Sequence, residues 1–423
     1  MRLLFTMFPS PSHFNPMVPL AWACRAAGHE VAVASTPALA EAVVASGLPY
    51  TPVGVDRDSR QTWRAPQLAT WHEQDRWPDD WPIRTEVLRP DQRELLANLG
   101  RQQCVTAEGM VDDLVAFGRR WRADLVVHDA VSFAGPVAAA ALGVPNVSSL
   151  WGSPGLQRLE MSDLLEDPLP EYERLFARFG VPTRLWPSAW VDPCPPSLNF
   201  PAPVERWPVR YVPYNGPGLA PEWTTVPDPA RPRVCVTWGA TAAKFLGAAA
   251  VEPVHRAVRA AAGLDVEVVV ATTETQRPLL EPLASERVRL VERVPLHRLL
   301  PTCAAVLHHG GSGTTLTAAT YGVPQLTVTR RPEPTLNGQS VVRAGAGAHR
   351  LEPELPPARR AWRCCGPTCS ACWRTPDTPR RPTASAPSSP PNRRPARSSR
   401  RWKASPRPSR PRSTSCAVRK RSN

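Results

Sequence analysis

The sequence predicts an α/β protein of two doubly wound, Rossmann-like domains facing a cleft, followed by a tail that belongs to neither. Three observations predict it. Short apolar runs alternate with helical stretches over residues 1–354, the rhythm of parallel strands joined by crossover helices. A proline-rich passage over 193–232 breaks that rhythm once, near the middle, as a connection between domains does. At 423 residues the chain also exceeds what one ordinary core serves.

In order, residues 3–8 read as a first strand and 18–27 as a helix ended by Gly28. A second strand is expected over 30–34, a helix over 38–46, a strand over 123–128, an alanine-rich helix over 135–142 and a strand over 146–150. After the connection, strands are expected over 233–237, 266–272, 288–291, 304–307 and 325–328. This divides the chain into a first domain over 1–200, a connection over 201–232, a second domain over 233–354 and a tail over 355–423. In open parallel sheets a ligand binds beyond the carboxyl ends of the strands, where the loops 9–15, 239–242 and 309–314 fall.

Charge separates the tail from the body. Residues 355–423 hold sixteen arginines, two lysines and one acid, Asp377, a net of +17; against +14 for the whole chain, the first 354 residues stand at −3. The body therefore lacks the basic balance of a nucleic-acid binder, and only the tail could act as a basic arm. Cys24, Cys104, Cys194, Cys235 and Cys303 are scattered without metal-ligand spacing, so the expectation is reduced thiols, no metal and a cytoplasmic protein. The apolar start meets Pro9 too soon for a signal peptide, and no run suits a membrane span.

The most informative segment is His308-His309-Gly310-Gly311-Ser312-Gly313-Thr314-Thr315, which follows the apolar run 303–307 and opens a helix. Strand, glycine turn with small hydroxyls, then helix start is how a chain aims free backbone N–H groups at a phosphate. No lysine follows the glycines as a P-loop needs, and no GxGxxG spacing is near. By itself the turn could merely join a strand to a helix.

The wider string CAAVLHHGGSGTTLTAATYGVPQL resembles the donor-binding signature of two-domain (GT-B) glycosyltransferases that use nucleotide sugars. The opening SHFNPMVPLAWACRAAGHEVAVAS and the later strings VRYVPYNGPG, PRVCVTWGAT and VERVPLHRLLPTCAAVLHHGG are similar to the bacterial subgroup that attaches deoxysugars to macrolide and anthracycline antibiotics. The likeness covers residues 1–354 with its motifs in order. It implies an inverting transfer from a dTDP-deoxysugar to a polyketide hydroxyl, no cofactor, and, as in several of that subgroup, an auxiliary cytochrome-like partner protein.

By that resemblance His13 is the general base, since an imidazole can take the acceptor's proton at neutral pH. Asp129, ending ADLVVHD, matches the acid that holds the ring's tautomer; its alternative is a cap for the following helix. His309, Gly311, Ser312, Gly313 and Thr314 match the diphosphate site, Thr241 a second phosphate contact, and Val294 and Leu296 the nucleobase wall, though these two also read as a strand end turning at Pro295. Where the family has an Asp-Gln pair for the sugar hydroxyls this chain has Glu333 and Pro334, so the acid is kept and the amide lost, which suits a donor poor in hydroxyls.

The tail has neither helical nor strand periodicity and alone reads as disordered. Back-translated with G/C-ending codons and read two nucleotides later, 361–388 can give LAVLRADLLRLLEDPGHPAAADRLRAE and 392–406 can give PAPGEVVPALEGLA, both amphipathic and similar to the family's last helices. A frameshift near Leu355 explains that, and it predicts a chain that is unstable or weakly active. Other readings are a nucleotide-sugar epimerase of the same architecture, a tail-driven nucleic-acid or scaffold protein, and a degenerate paralogue that acts only as a binding partner. The Trp-rich stretch 62–102 is open between an acceptor lid and a partner surface.

Overall fold

The computed structural model describes residues 1–57, 77–82, 84–153, 168–200, 206–219, 221–226, 231–239 and 251–352. Thr241 and the tail lie outside the described residues, as does all of 58–76.

The first domain is a seven-stranded parallel sheet in the order β3-β2-β1-β4-β5-β6-β7. Its strands are β1 Arg2–Thr6, β2 Glu30–Ser35, β3 Tyr50–Pro52, β4 Leu125–Asp129, β5 Asn146–Ser149, β6 Ala189–Asp192 and β7 Arg206–Pro208. Alternate residues of one strand enter different cores, as a sheet covered on both faces requires. On β1, Leu4 packs with Val126, Leu114 and Val137, whereas Leu3 and Phe5 pack with Val33, Val127, Phe14 and Val18.

The helices of this domain are α1 Pro11–Phe14, α2 Val18–Ala26, α3 Ala40–Ala45, α4 Pro90–Glu108, α5 Val111–Trp121, α6 Ala134–Leu142 and α7 Pro170–Ala177. Then follow α8 Glu222–Thr225 and the second sheet: β8 Arg233–Thr237, β9 Glu267–Thr272, β10 Val288–Glu292, β11 Ala305–His308, β12 Gln325–Thr329 and β13 Gly347–Leu351. It is six-stranded, in the order β10-β9-β8-β11-β12-β13, and every described pairing is parallel. Its helices are α9 Glu252–Ala262, α10 Arg277–Leu280, α11 Leu296–Leu299, α12 Ser312–Thr320 and α13 Pro332–Arg343.

Both sheets reverse their winding beside the first strand, between β1 and β4 and between β8 and β11. The crevice for a ligand opens at such a reversal. His13 follows β1, Asp129 ends β4, and His309 follows β11, so both candidate sites sit at these points.

Several expectations change. The segment 9–15 is not all loop: with Ser10 extended and Pro11 in the first turn, residues 11–14 close the short helix that carries His13. The connection also supplies a strand, because Arg206 on β7 pairs with Asp192 at the end of β6 at 2.9 Å. Strands β3, β6 and β7 escaped the sequence reading because they are only three or four residues long, and β13, GAHRL, because it has little apolar alternation.

The two domains touch closely. A Cβ at Gly152 would stand 2.2 Å from Leu316 on α12. Trp77, Trp81, Leu95 and Leu99 pack with Leu336 on α13, and the Gln339 amide donates to Asp79 at 2.6 Å. The described part of 62–102 therefore packs on the second domain.

Candidate active site

At the β1/β4 reversal, the His13 Nδ1–H donates to Asp129 Oδ2 at 2.8 Å. Asp129 is 1 % exposed and His13 23 %, so a buried carboxylate orients a ring whose Nε2 edge is open. Phe8 and Trp151 hold the ring from two sides, with centroids at 5.2 and 5.0 Å. The Phe8 backbone N–H gives Asp129 Oδ2 a second hydrogen bond at 3.3 Å. Asp129 is not a helix cap: α6 starts five residues later, at Ala134, with Phe133 at its cap position and no side chain capping it. Among the described residues Nε2 has no hydrogen-bond partner, as a general base needs.

At the β8/β11 reversal the chain leaves β11 through His308 and turns at Gly310, whose φ of +85° favours glycine. A Cβ on Gly310 would also stand 2.7 Å from Pro334 O. The buried His308 accepts from Gly310 N–H at Nδ1 and donates from Nε2 to Gln325 Oε1. Burial lowers its pKa to about 4, against the opposing Gln325 bond. The His309 ring fits between Gly239 and Gly311, where added Cβ atoms would approach it to 2.8 and 2.6 Å. Burial first, then the charges of His308 and Arg331, lower its pKa to about 3. Its Nδ1 is buried without a partner among the described residues.

Gly311 caps α12 with extended backbone and no side-chain bond, so the first-turn N–H groups of Ser312, Gly313 and Thr314 point outward without intrahelical partners. Nothing lies within 4 Å of a Cβ added at Gly313. Neutral dipoles and a neutral imidazole thus form the glycine turn. Glu333 sits in the first turn of α13, where Oε1 accepts from Ser312 Oγ at 2.8 Å and from the Asn337 amide at 3.4 Å. Pro334 is buried and offers no amide; Asn337, one helical turn after Glu333, brings its own to Ser312 Oγ at 3.1 Å and to Gly310 O at 2.7 Å. Val294 and Leu296 pack at the edge of the second core, with Leu296 starting α11 rather than ending a strand. The bend before them is made by Arg293 at φ 51°, and linker Gly218 packs on it.

Ser153 joins the two halves. Its hydroxyl accepts from the Trp151 indole N–H at 3.1 Å and contacts Ser312 Oγ and Glu333 Oε1. The tryptophan that edges His13 is thereby one hydroxyl from the glycine turn of the other domain. A chain of side-chain contacts thus joins Asp129, His13, Trp151, Ser153, Ser312 and Glu333.

Profiles for the Erythromycin biosynthesis protein CIII-like family match twice, its N-terminal domain over residues 22–239 and its C-terminal domain over 255–367. The chain belongs to that family. It is a glycosyltransferase. Aklavinone 7-beta-L-rhodosaminyltransferase of Streptomyces galilaeus is 39% identical over 381 residues, covering 82% of this chain and 84% of the relative. The 10-deoxymethynolide desosaminyltransferase of Streptomyces venezuelae is 35% identical, covering 84% and 87%. Among solved structures, glycosyltransferase VinC in complex with dTDP superposes with a TM-score of 0.69 at 32% identity, covering 88% of this chain and 93% of VinC. The spinosyn rhamnosyltransferase SpnG complexed with thymidine diphosphate gives 0.66 at 29%, covering 82% and 86%. Macrolide and anthracycline deoxysugar transferases are thus its relatives, and the GT-B fold is shared.

Sequence reasoning missed Trp151, Ser153, Arg331 and Asn337 in this glycosyltransferase. Only Asn337 left a trace, its spacing of four from Glu333, which places both on one helix face. Among the described residues no group of three or more His, Cys, Asp or Glu could hold a metal ion, and no helix is long and apolar enough to cross a membrane.

Proposed function

We propose that this glycosyltransferase moves a deoxysugar from a dTDP-sugar to a hydroxyl of a polyketide-type aglycone with inversion, without metal or cofactor. The single observation that carries this is the Trp151–Ser153–Ser312 path, which connects the tryptophan beside an oriented base to an anion-seeking helix start. The acceptor hydroxyl gives its proton to His13 Nε2 while its oxygen attacks the anomeric carbon; the bond from that carbon to the diphosphate breaks on the opposite side. Asp129 holds Nδ1–H and balances the imidazolium. The leaving diphosphate collects negative charge facing the N–H groups of Ser312, Gly313 and Thr314 and the neutral His309. Thr241 adds a phosphate contact, Val294 and Leu296 bound the base, and Glu333 faces the sugar.

In this reading residues 1–200 bind the acceptor and 233–354 the donor, joined through 201–232. The five free cysteines of the described residues suit a reducing cytoplasm. An auxiliary protein of the cytochrome-like kind fits the subgroup likeness. The reading frame changes near Leu355, so that the family's last helices are replaced by the arginine-rich tail and turnover is impaired; a nucleotide read across the codons for residues 345–367 decides that. Incubation with dTDP-deoxysugars and polyketide aglycones, followed by mass spectrometry, tests the transfer. A product heavier by one deoxysugar is expected; no product despite thymidine diphosphate binding would favour a binding-only paralogue.

A further inference from the structure

A diphosphate brings at least two negative charges, and the glycine turn answers them with dipoles alone, because His309 is neutral at working pH. Glu333 adds a carboxylate to the same spot, and the side-chain donors that hold it are neutral. A P-loop solves this with a lysine directly after its glycines, which this chain lacks. A cation has to come from elsewhere in the fold.

The register of the sheet says where. His308 on β11 lies opposite Thr327 on β12, so the glycine turn runs beside 328–331; a Cβ on Gly310 would touch Thr329 Cγ2 at 2.7 Å. Two arginines follow that strand. Arg330 is taken, paired with Glu352 at 3.5 Å. Arg331 is the residue before α13, anchored through its carbonyl by the Thr335 hydroxyl at 2.8 Å. Its half-buried guanidinium has no hydrogen bond or ion pair among the described residues, and the groups that feel its charge are His309 and Glu333. A partly desolvated guanidinium without a partner is costly to keep, and an anion brought in by a ligand removes the cost.

We propose that Arg331 is the cation of the donor site, binding the diphosphate of the nucleotide-linked sugar and balancing its charge as the sugar leaves. The inference rests on the donor reading above and adds to it a residue that no motif marks. A guanidinium suits the role because its planar fork takes two phosphate oxygens at once.

Thymidine diphosphate and thymidine monophosphate are titrated by calorimetry into the full chain and into Arg331→Gln, Arg331→Lys and Arg330→Gln. Arg331→Gln is expected to weaken the diphosphate about tenfold or more and the monophosphate less than threefold, with Arg331→Lys between and Arg330→Gln close to the parent. Without nucleotide, the melting temperature of Arg331→Gln is expected to stay level or rise, whereas a residue that merely props up the loop would lower it when removed. Equal diphosphate affinity in Arg331→Gln and the parent overturns the inference alone. No diphosphate binding by the parent overturns the donor reading and the inference with it.

Discussion

The two sheet reversals occupy equivalent places in their domains and hold a histidine each, yet their electrostatics are opposite. His13 faces a buried carboxylate at 2.8 Å and keeps one edge open. His309 is wedged between two glycines with no acid partner, and its pKa falls to about 3. A carboxylate behind a ring fixes its tautomer and leaves the other nitrogen to take a proton from substrate; burial keeps a ring neutral. The same fold position therefore serves proton transfer on one side and anion binding on the other, and the neighbours rather than the histidine decide which.

Asp129→Asn strikes the contrast at its strongest point. Without the acid the ring loses its tautomer and its counter-charge, and turnover is expected to fall about a hundredfold or more with thymidine diphosphate affinity unchanged. Steady-state kinetics beside calorimetry would show whether the acid instead serves only the fold. On the other side, Gly311→Ala pushes a methyl to within 2.6 Å of His309 Nε2 and displaces the ring. Diphosphate affinity should drop about tenfold, roughly 1.4 kcal/mol, while acceptor binding holds.

Acid acts on the glycine-turn side through stability. His308 and His309 stay neutral in the fold until about pH 4 and pH 3, whereas an unfolded imidazole protonates near 6.5. Above pH 6.5 they cost nothing; as pH falls from 6.5 towards 4 the unfolded chain binds the extra protons, and stability drops by up to about 1.4 kcal/mol per pH unit for each ring. Urea midpoints at pH 7.5 and 5 should differ less in His309→Gln than in the parent. The smallest effect is expected at Ser153, where replacement by Ala leaves both sites intact but unlinked. Turnover should fall a few-fold, and losses in Ser153→Ala and Glu333→Gln should not add, because the two share a hydrogen bond.

The sequence made the sheets legible where strands are long and buried on both faces. The pattern at 233–237 matches β8 because, after Arg233, alternate and intervening residues alike are apolar or small. It hid β6 and β7, which are short, sit among prolines and are held by the Arg206–Asp192 pair, a contact that no period reveals. His13, Asp129 and the glycine turn were legible through flanking strings. Ser153 and Arg331 were not, since each gains its meaning only when two loops distant in the chain meet.

The most direct test of the account is to measure turnover of a dTDP-deoxysugar and affinity for thymidine diphosphate together in His13→Gln. The account predicts unchanged affinity, within twofold, and turnover reduced about a hundredfold or more. Turnover near the parent's, or a loss of nucleotide affinity of the same size as the loss of turnover, would contradict a cleft in which one histidine moves the proton and the other receives the leaving group.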